Sequence, residues 1–226
     1  MATRADSHDL SNAVQDYAKA IWTLAQRSTE PVSTSAIADR LEVSPASASA
    51  MVKRLEALGL ATREPYHGVR LTPSGERVAL EVVRHHRLLE LYLAEALGMS
   101  WDRVHEEAEV LEHAISPELS ELIATKLGDP THDPHGDPIP TRDGHIDEEP
   151  TRSLADLEPG DRGLFVRVSD SDPDMLRYLD ERGIAPGDRF EVLEREPFEG
   201  PLTVRFADGT HVLGGALTRA MRTVPT

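Results

Sequence analysis

Apolar residues recur three or four places apart through the first half of the chain, the spacing of a single helix face. Val14, Tyr17, Ile21 and Leu24 predict a helix from Ser11 to Arg27, with Ser11 as its cap. Thr34 caps a shorter helix bearing Ile37, Ala38 and Leu41, after which Glu42-Val43 turns the chain. Ser44-Pro45 supplies the cap and first-turn proline of a third helix, with Ala48, Val52, Leu55 and Leu58 inward and Gly59 as its stop. Two helices joined by so short a turn form a helix-turn-helix. Leu60 to Glu64 and Val69 to Thr72 then read as short strands around Pro65-Tyr66-His67-Gly68. Helix, helix-turn-helix and hairpin, in that order, make a winged helix.

The helical pattern lengthens after Thr72-Pro73. Val78, Val82, Leu89 and Leu93 give a buried stripe on a helix that runs to about Leu97 and stops at Gly98. Trp101 to Ala114 is the next helix, and Ser116-Pro117 opens another with Leu119, Leu122, Ile123 and Leu127 inside and Gly128 at its end. These helices carry more apolar face than short segments can cover, which predicts self-association. From Asp129 to Ser153, Pro, Gly, Asp and His take over and predict a linker. Beyond it, Gly163–Val168, Arg189–Arg195, Leu202–Phe206 and Thr210–Leu213 alternate as short strands, interrupted by a helix from Pro173 to Arg182 that Gly183 stops. The expectation is a mainly α chain with a small β part. A winged helix would occupy residues 1–74, a helical unit residues 75–150 with a linker from about 129, and a small β-barrel residues 151–226.

Composition narrows the chemistry. The chain of 226 residues has no cysteine, so disulfides, iron–sulfur clusters and thiolate zinc sites are excluded. No apolar run approaches the roughly 18 residues of a membrane span, and the first residues lead into no apolar signal core, so a cytoplasmic protein with no membrane partner is expected. Net charge is −16, which by itself opposes binding to phosphate. The charge is uneven, however. Residues 33–77 hold six basic side chains (Arg40, Lys53, Arg54, Arg63, Arg70, Arg77) against five acids (Asp39, Glu42, Glu56, Glu64, Glu76). That segment is therefore +1 and the remainder −17, which leaves one acid-poor face for nucleic acid.

That face is the helix-turn-helix. Its second helix begins Ser44-Pro45-Ala46-Ser47-Ala48-Ser49-Ala50, small and hydroxylic residues that let a backbone approach base edges and phosphates. Candidate DNA contacts are Thr34 and Ser35, then Ser44, Ala46, Ser47, Ser49 and Ala50, with Lys53, Arg54, Arg63, His67 and Arg70 for phosphate. A second group of side chains points elsewhere. His86 and Glu90 lie four apart on the long helix, and the next helix reads His105-Glu106-Glu107-Ala108-Glu109-Val110-Leu111-Glu112-His113. Residues three or four apart on a helix are neighbours. Imidazoles and carboxylates gathered without any thiolate suit a hard divalent cation. The same residues are open to a plainer reading as solvated helical ion pairs, which are common and contribute little.

Taken together, these motifs resemble the DtxR/MntR family of metal-dependent transcriptional repressors. The segments that carry the resemblance are Arg84-His85-His86-Arg87-Leu88-Leu89-Glu90, Val104 through His113, and Asp133-Pro134-His135-Gly136-Asp137-Pro138-Ile139-Pro140. The resemblance implies a winged helix, a helical dimerisation domain and a terminal SH3-like domain. It implies a primary metal site on Asp16, Glu109, Glu112 and His113, and an ancillary site on His86, Glu90 and His105. An acidic ligand from the last domain falls on Asp172, which reads equally as the cap of the helix opening at Pro173. Iron-responsive members place methionine and cysteine where this chain has Asp16 and Glu109, so the resemblance points to manganese, with iron as the alternative and cobalt or zinc as substitutes in vitro. Short manganese regulators carry a glutamate three residues after the aspartate. Lys19 stands there instead, which favours two separated sites over a bridged pair.

The implied protein is a homodimeric, manganese-activated repressor that reads a palindromic double-stranded operator and controls metal-uptake genes. An iron-responsive regulator, a metal-dependent enzyme and a metal-storage or adaptor protein are the alternatives. Against an enzyme, no nucleophile motif or phosphate loop accompanies the ligands. His132, His135 and His145 read as solvated linker residues, His85 points away from His86 on the helix, and Trp22 and Trp101 read as core.

Overall fold

The computed structural model describes residues 10–26, 28–64, 67–147 and 149–226. The predicted helix end at Arg27 and the wing residues Pro65-Tyr66 lie outside these. The chain opens with α1 (Asn12–Ala25), α2 (Thr34–Arg40) and α3 (Pro45–Ala57), followed by β1 (Ala61–Glu64) and β2 (Gly68–Leu71). The helices α4 (Pro73–Leu97), α5 (Val104–Leu111) and α6 (Pro117–Lys126) come next. The chain divides into two compact units, one of residues 1–86, 111–120 and 140–145, the other of residues 87–110, 121–139 and 146–226.

The first unit is built on the winged helix. Val14, Ile21, Ile37, Ala48, Val52, Leu55 and Val69 close into one core, so α1, α2, α3 and β2 share a single apolar interior. The hairpin pairs Ala61 with Leu71 through Glu64 with Gly68, and Val32 adds a bridge to Val69 with both backbone bonds at 2.9 Å. Three local details differ from expectation. Ser11 takes the N-cap backbone conformation of α1 but its side chain makes no capping bond. Ser33, not Thr34, caps α2 by accepting from Ala36 N at 3.1 Å. Leu58 faces solvent because α3 ends at Ala57, and the following Gly59 takes a left-handed φ of 71° that turns the chain out of the helix. Ser44 caps α3 as expected, accepting from Ser47 N at 3.1 Å.

The second unit holds a six-stranded antiparallel sheet with β3 (Arg152–Ser153), β4 (Arg162–Val168), β5 (Arg189–Arg195), β6 (Leu202–Phe206), β7 (Gly209–Leu213) and β8 (Met221–Pro225). Helix α7 (Pro173–Asp180) lies between β4 and β5, and α8 (Gly215–Ala220) between β7 and β8. The strand order is β3-β8-β4-β5-β6-β7, so the expected barrel is an open sheet whose edges are β3 and β7. Two residues of β3 are too few to close it. Leu154, Phe165, Leu176, Val192, Leu202 and Leu213 fill the core between sheet and helices.

The predicted linker is ordered where it lies in this unit. Asp133 Oδ1 accepts from the backbone N of both His135 and Asp137 at 2.9 Å. Gly136 has φ 85°, and a Cβ there would stand 1.9 Å from the Val166 carbonyl oxygen, so only glycine lets this loop lie against β4. Val168 N closes the contact on the His135 carbonyl at 2.9 Å. Helix α5 is also shorter than predicted: it stops at Leu111, and Glu112 and His113 occupy the turn that follows. Val110, Leu119 and Leu122 are exposed apolar side chains, and the last two were expected inside.

Candidate metal centre

In the first unit, α1 meets the turn after α5. Asp16 Oδ1 lies 2.7 Å from His113 Nε2, and Glu112 Oε1 lies 3.5 Å from the same nitrogen. One donor atom from each of Asp16, Glu112 and His113 falls within 4.8 Å of the others. The other ring nitrogen, His113 Nδ1, is 2.6 Å from Gln15 Oε1, an oxygen that can only accept. Nδ1 therefore keeps its proton on Gln15, and Nε2 is the nitrogen turned towards the acids. The hydrogen bond to Asp16 holds the imidazole proton more tightly than usual and raises its pKa. Glu112 is fully buried, and its Oε2 is 2.7 Å from Lys19 Nζ and 2.6 Å from His86 Nδ1. His85, discounted on helical geometry, is buried: burial lowers its pKa, and its Nδ1 is 3.3 Å from the Glu112 carbonyl oxygen. It fixes the backbone of the turn that presents the acid.

In the second unit, Glu90 on α4 is the centre of another cluster. Its Oε1 is 3.1 Å from His105 Nδ1, which also lies 3.0 Å from Asp170 Oδ2. Burial disfavours the charge on His105, but its bonds to Asp170 and Glu90 outweigh that and push the pKa to about 10. The other oxygen of Glu90 lies 3.8 Å from His135 Nδ1. His135 is fully buried, stacked on Trp101 at 5.8 Å, and its Nε2 donates to the Trp101 carbonyl at 2.8 Å. That leaves Nδ1 as a buried ring nitrogen facing carboxylate and making no hydrogen bond. Burial again disfavours its charge, yet Glu90 and then Asp133 raise the pKa to about 9. Asp133 itself is pushed well above the carboxylate range, first by burial and then by Glu90 and Asp137. One donor each from Glu90, Asp133 and His135 falls within 4.8 Å of the others.

The expectation for the linker histidines is thus corrected at His135, which is core and not solvated. Its signal lay in the surrounding Asp-Pro-His-Gly-Asp, where each side chain or glycine has a structural task. Asp172 is engaged as the cap of α7, accepting from Asp174 N at 3.0 Å and Met175 N at 3.3 Å, while Asp170, two residues earlier, reaches His105. Glu109 is half exposed, with its carboxylate 3.8 Å from His105 Nε2. His86 stands one turn before Glu90 on α4. Gln15 and Lys19 were not singled out as contacts of the cluster from sequence.

The candidate DNA contacts lie at the surface. Ser35, Ser44, Ala46, Ser47, Ser49, Ala50, Lys53, Arg54, Arg63, His67 and Arg70 are all exposed, and Thr34 is partly so. Ser44 and Ser47 hydroxyls lie 2.8 Å apart, and Arg70 is held by Glu64 at 2.8 Å. No helix of the described residues is long and apolar enough to cross a membrane.

Three family models match in chain order: the iron dependent repressor N-terminal DNA binding domain over residues 9–69, the iron dependent repressor metal binding and dimerisation domain over 72–141, and the FeoA domain over 152–220. The chain is 30% identical over 198 residues to the diphtheria toxin repressor of Corynebacterium efficiens, an alignment covering 83% of this chain and 86% of that one. The chain belongs to the DtxR family. The iron-dependent repressor IdeR of Mycobacterium leprae is 31% identical over 198 residues, covering 82% of this chain and 85% of its own. Among solved structures, a manganese-dependent transcriptional repressor in complex with manganese matches at a TM-score of 0.87 and 46% identity, covering 94% of this chain and 100% of that one. ScaR with bound Zn2+ matches at 0.78 and 29% identity, covering 94% and 99%. This DtxR-family chain is accordingly a metal-dependent, DNA-binding transcriptional repressor, with a dimerisation domain that indicates a homodimer on DNA. Members of the family are transcriptional repressors, which at the family level speaks against the metal-dependent enzyme alternative.

Proposed function

We propose that the protein is a manganese-activated repressor, and that Asp16, Glu112 and His113 are the heart of its activating site. The observation that carries this is their convergence in the first unit, because Asp16 belongs to the helix that precedes the DNA reader and the other two to the turn between α5 and α6. The donors are oxygen and nitrogen only. That fits a hard cation and gives up the sulfur that favours softer competitors in the Irving–Williams order. Glu109, which the family pattern implies as a further ligand, has its carboxylate 3.8 Å from His105 Nε2 and is not part of this trio. A second ion is assigned to Glu90, where His105, Asp133, His135 and Asp170 gather; the buried Nδ1 of His135 faces Glu90 at 3.8 Å. His86 has its Nδ1 2.6 Å from Glu112 Oε2 in the first unit, and Asp170 takes the acidic position that the family pattern put at Asp172.

A divalent ion supplies the charge that lets three acidic and imidazole groups be held together. Asp16 and His113, fixed on a common point, hold α1 against the α5–α6 turn. Two recognition helices of a homodimer must lie about one DNA turn apart to read a palindrome, so fixing α1 raises affinity for the operator. The exposed hydroxyls of α3 meet base edges, and Lys53, Arg54, Arg63 and Arg70 meet phosphate. The test is a titration of promoter fragments with manganese, ferrous iron, cobalt and zinc under anaerobic conditions, read by fluorescence anisotropy. Full activation by manganese is expected. A protein that answers ferrous iron and ignores manganese would make iron the signal.

A further inference from the structure

Two consecutive residues of α1 hold one imidazole by its two nitrogens. Asp16 Oδ1 lies 2.7 Å from His113 Nε2, and Gln15 Oε1 lies 2.6 Å from His113 Nδ1. Neighbouring side chains on a helix diverge by about 100°, and they share this ring because its two nitrogens face apart. The two arms differ in setting. The Asp16 side chain is 38% exposed, whereas Gln15 is 5% exposed and the His113 side chain 9%. Ligation of Nε2 leaves the Nδ1 proton on the amide oxygen, so the Gln15 bond persists when an ion is bound. One contact fixes a distance; a second stops rotation about the first and so fixes an orientation. Val14 and Tyr17, which flank this pair, are buried in the core that also holds Ala48, Val52 and Leu55 of α3. Protein interiors are close-packed and transmit strain, so the angle of α1 at His113 is imposed on α3 as well.

From this we infer that Gln15 is a positioning residue through which metal occupancy reaches the DNA reader: its amide oxygen on Nδ1 sets the angle at which α1 meets the imidazole whose Nε2 holds the ion. The inference rests on the reading of Asp16, Glu112 and His113 as a metal site. Gln15 touches no ion. It presents Nε2 to the ligand cluster and gives α1 a second attachment to the turn after α5, so that Asp16 and Gln15 together turn the helix as well as hold it.

Two measurements test it on the full-length protein. The first is the gain in affinity for a promoter fragment between chelator and saturating manganese, read by fluorescence anisotropy at fixed salt, with circular dichroism and light scattering to show that each variant is a folded dimer. Saturation takes any loss of metal affinity out of the comparison. Gln15→Met, which keeps the length of the side chain and loses the acceptor, should cut the gain to about threefold or less. Gln15→Glu, which keeps an accepting oxygen at the same reach, should restore it. A folded Gln15→Met protein with the full gain overturns the inference, and so does a Gln15→Glu protein that responds like Gln15→Met. The second measurement is nitrogen NMR of the wild type with isotope-labelled histidine, using zinc as a diamagnetic probe and His113→Gln to assign the signal. Zinc on Nε2 with the proton on Nδ1 is expected. Zinc on Nδ1 overturns the role of Gln15 while leaving the metal site standing. A His113 signal indifferent to zinc overturns the site reading itself and the inference with it.

Discussion

Asp16 lies 2.7 Å from His113, and with Gln15 on His113 and Lys19 on Glu112 that contact ties α1 to the segment after α5. Replacing Asp16 with alanine should therefore weaken manganese-dependent DNA binding by about 10–100-fold, the usual effect of losing a ligand-shell group, while light scattering still shows a dimer. Manganese dependence identical to wild type would remove Asp16 from the mechanism. Glu112 and His113 stood out in the sequence by residue type and spacing, and Asp16 only through the family resemblance. Gln15 did not, since an amide on a helix face gives no sign that a histidine lies 98 positions away at 2.6 Å. His135 was hidden for a different reason. Polar, proline-rich composition usually means a solvated loop, and only the close pass of Gly136 over Val166 shows that this loop is packed.

At the scale of elements, α3 is the piece on which the proposed recognition depends. Its N-terminal turn is held by Ser44 and Pro45, its inner face by Ala48, Val52 and Leu55, and its outer face is exposed, where the proposed DNA contacts lie. Lys53 is exposed on that helix. Lys53→Ala should reduce affinity for all sequences alike and lower the slope of log affinity against log salt by about one unit. A loss confined to particular base pairs would make Lys53 a base reader. The elements themselves were largely legible: β5 and β6 match their predicted ranges, and α2, α3 and α4 fall within a residue or two of theirs. Short strands β3 and β8 and helix α8 were missed, since two to six residues carry too little periodicity. The early stop of α5 at Leu111 was missed as well, and it matters because it places Glu112 and His113 in a turn that can face α1.

For the whole molecule, the acidic charge and the raised histidines make metal binding a proton-linked event. His105 and His135 have folded pKa values of about 10 and about 9, above the ordinary 6.5. Their charged forms stabilise the metal-free fold fully below about 6.5, and that contribution is lost as pH rises through 9 to 10. Metal ligation runs the other way, because these nitrogens bind only after their protons leave. Manganese affinity should rise between pH 6.5 and 9, and calorimetry in buffers of different ionisation enthalpy should show about one or two protons released per second-site ion. Binding with no proton release would exclude these histidines as ligands. The central claim remains the linkage of metal to DNA, and its direct measurement is the equilibrium affinity for a promoter fragment at fixed salt, with chelator and with saturating manganese. The account predicts at least about tenfold tighter binding with manganese, and an equal gain in manganese affinity when DNA is present. Equal grip on the fragment with and without the ion would contradict it.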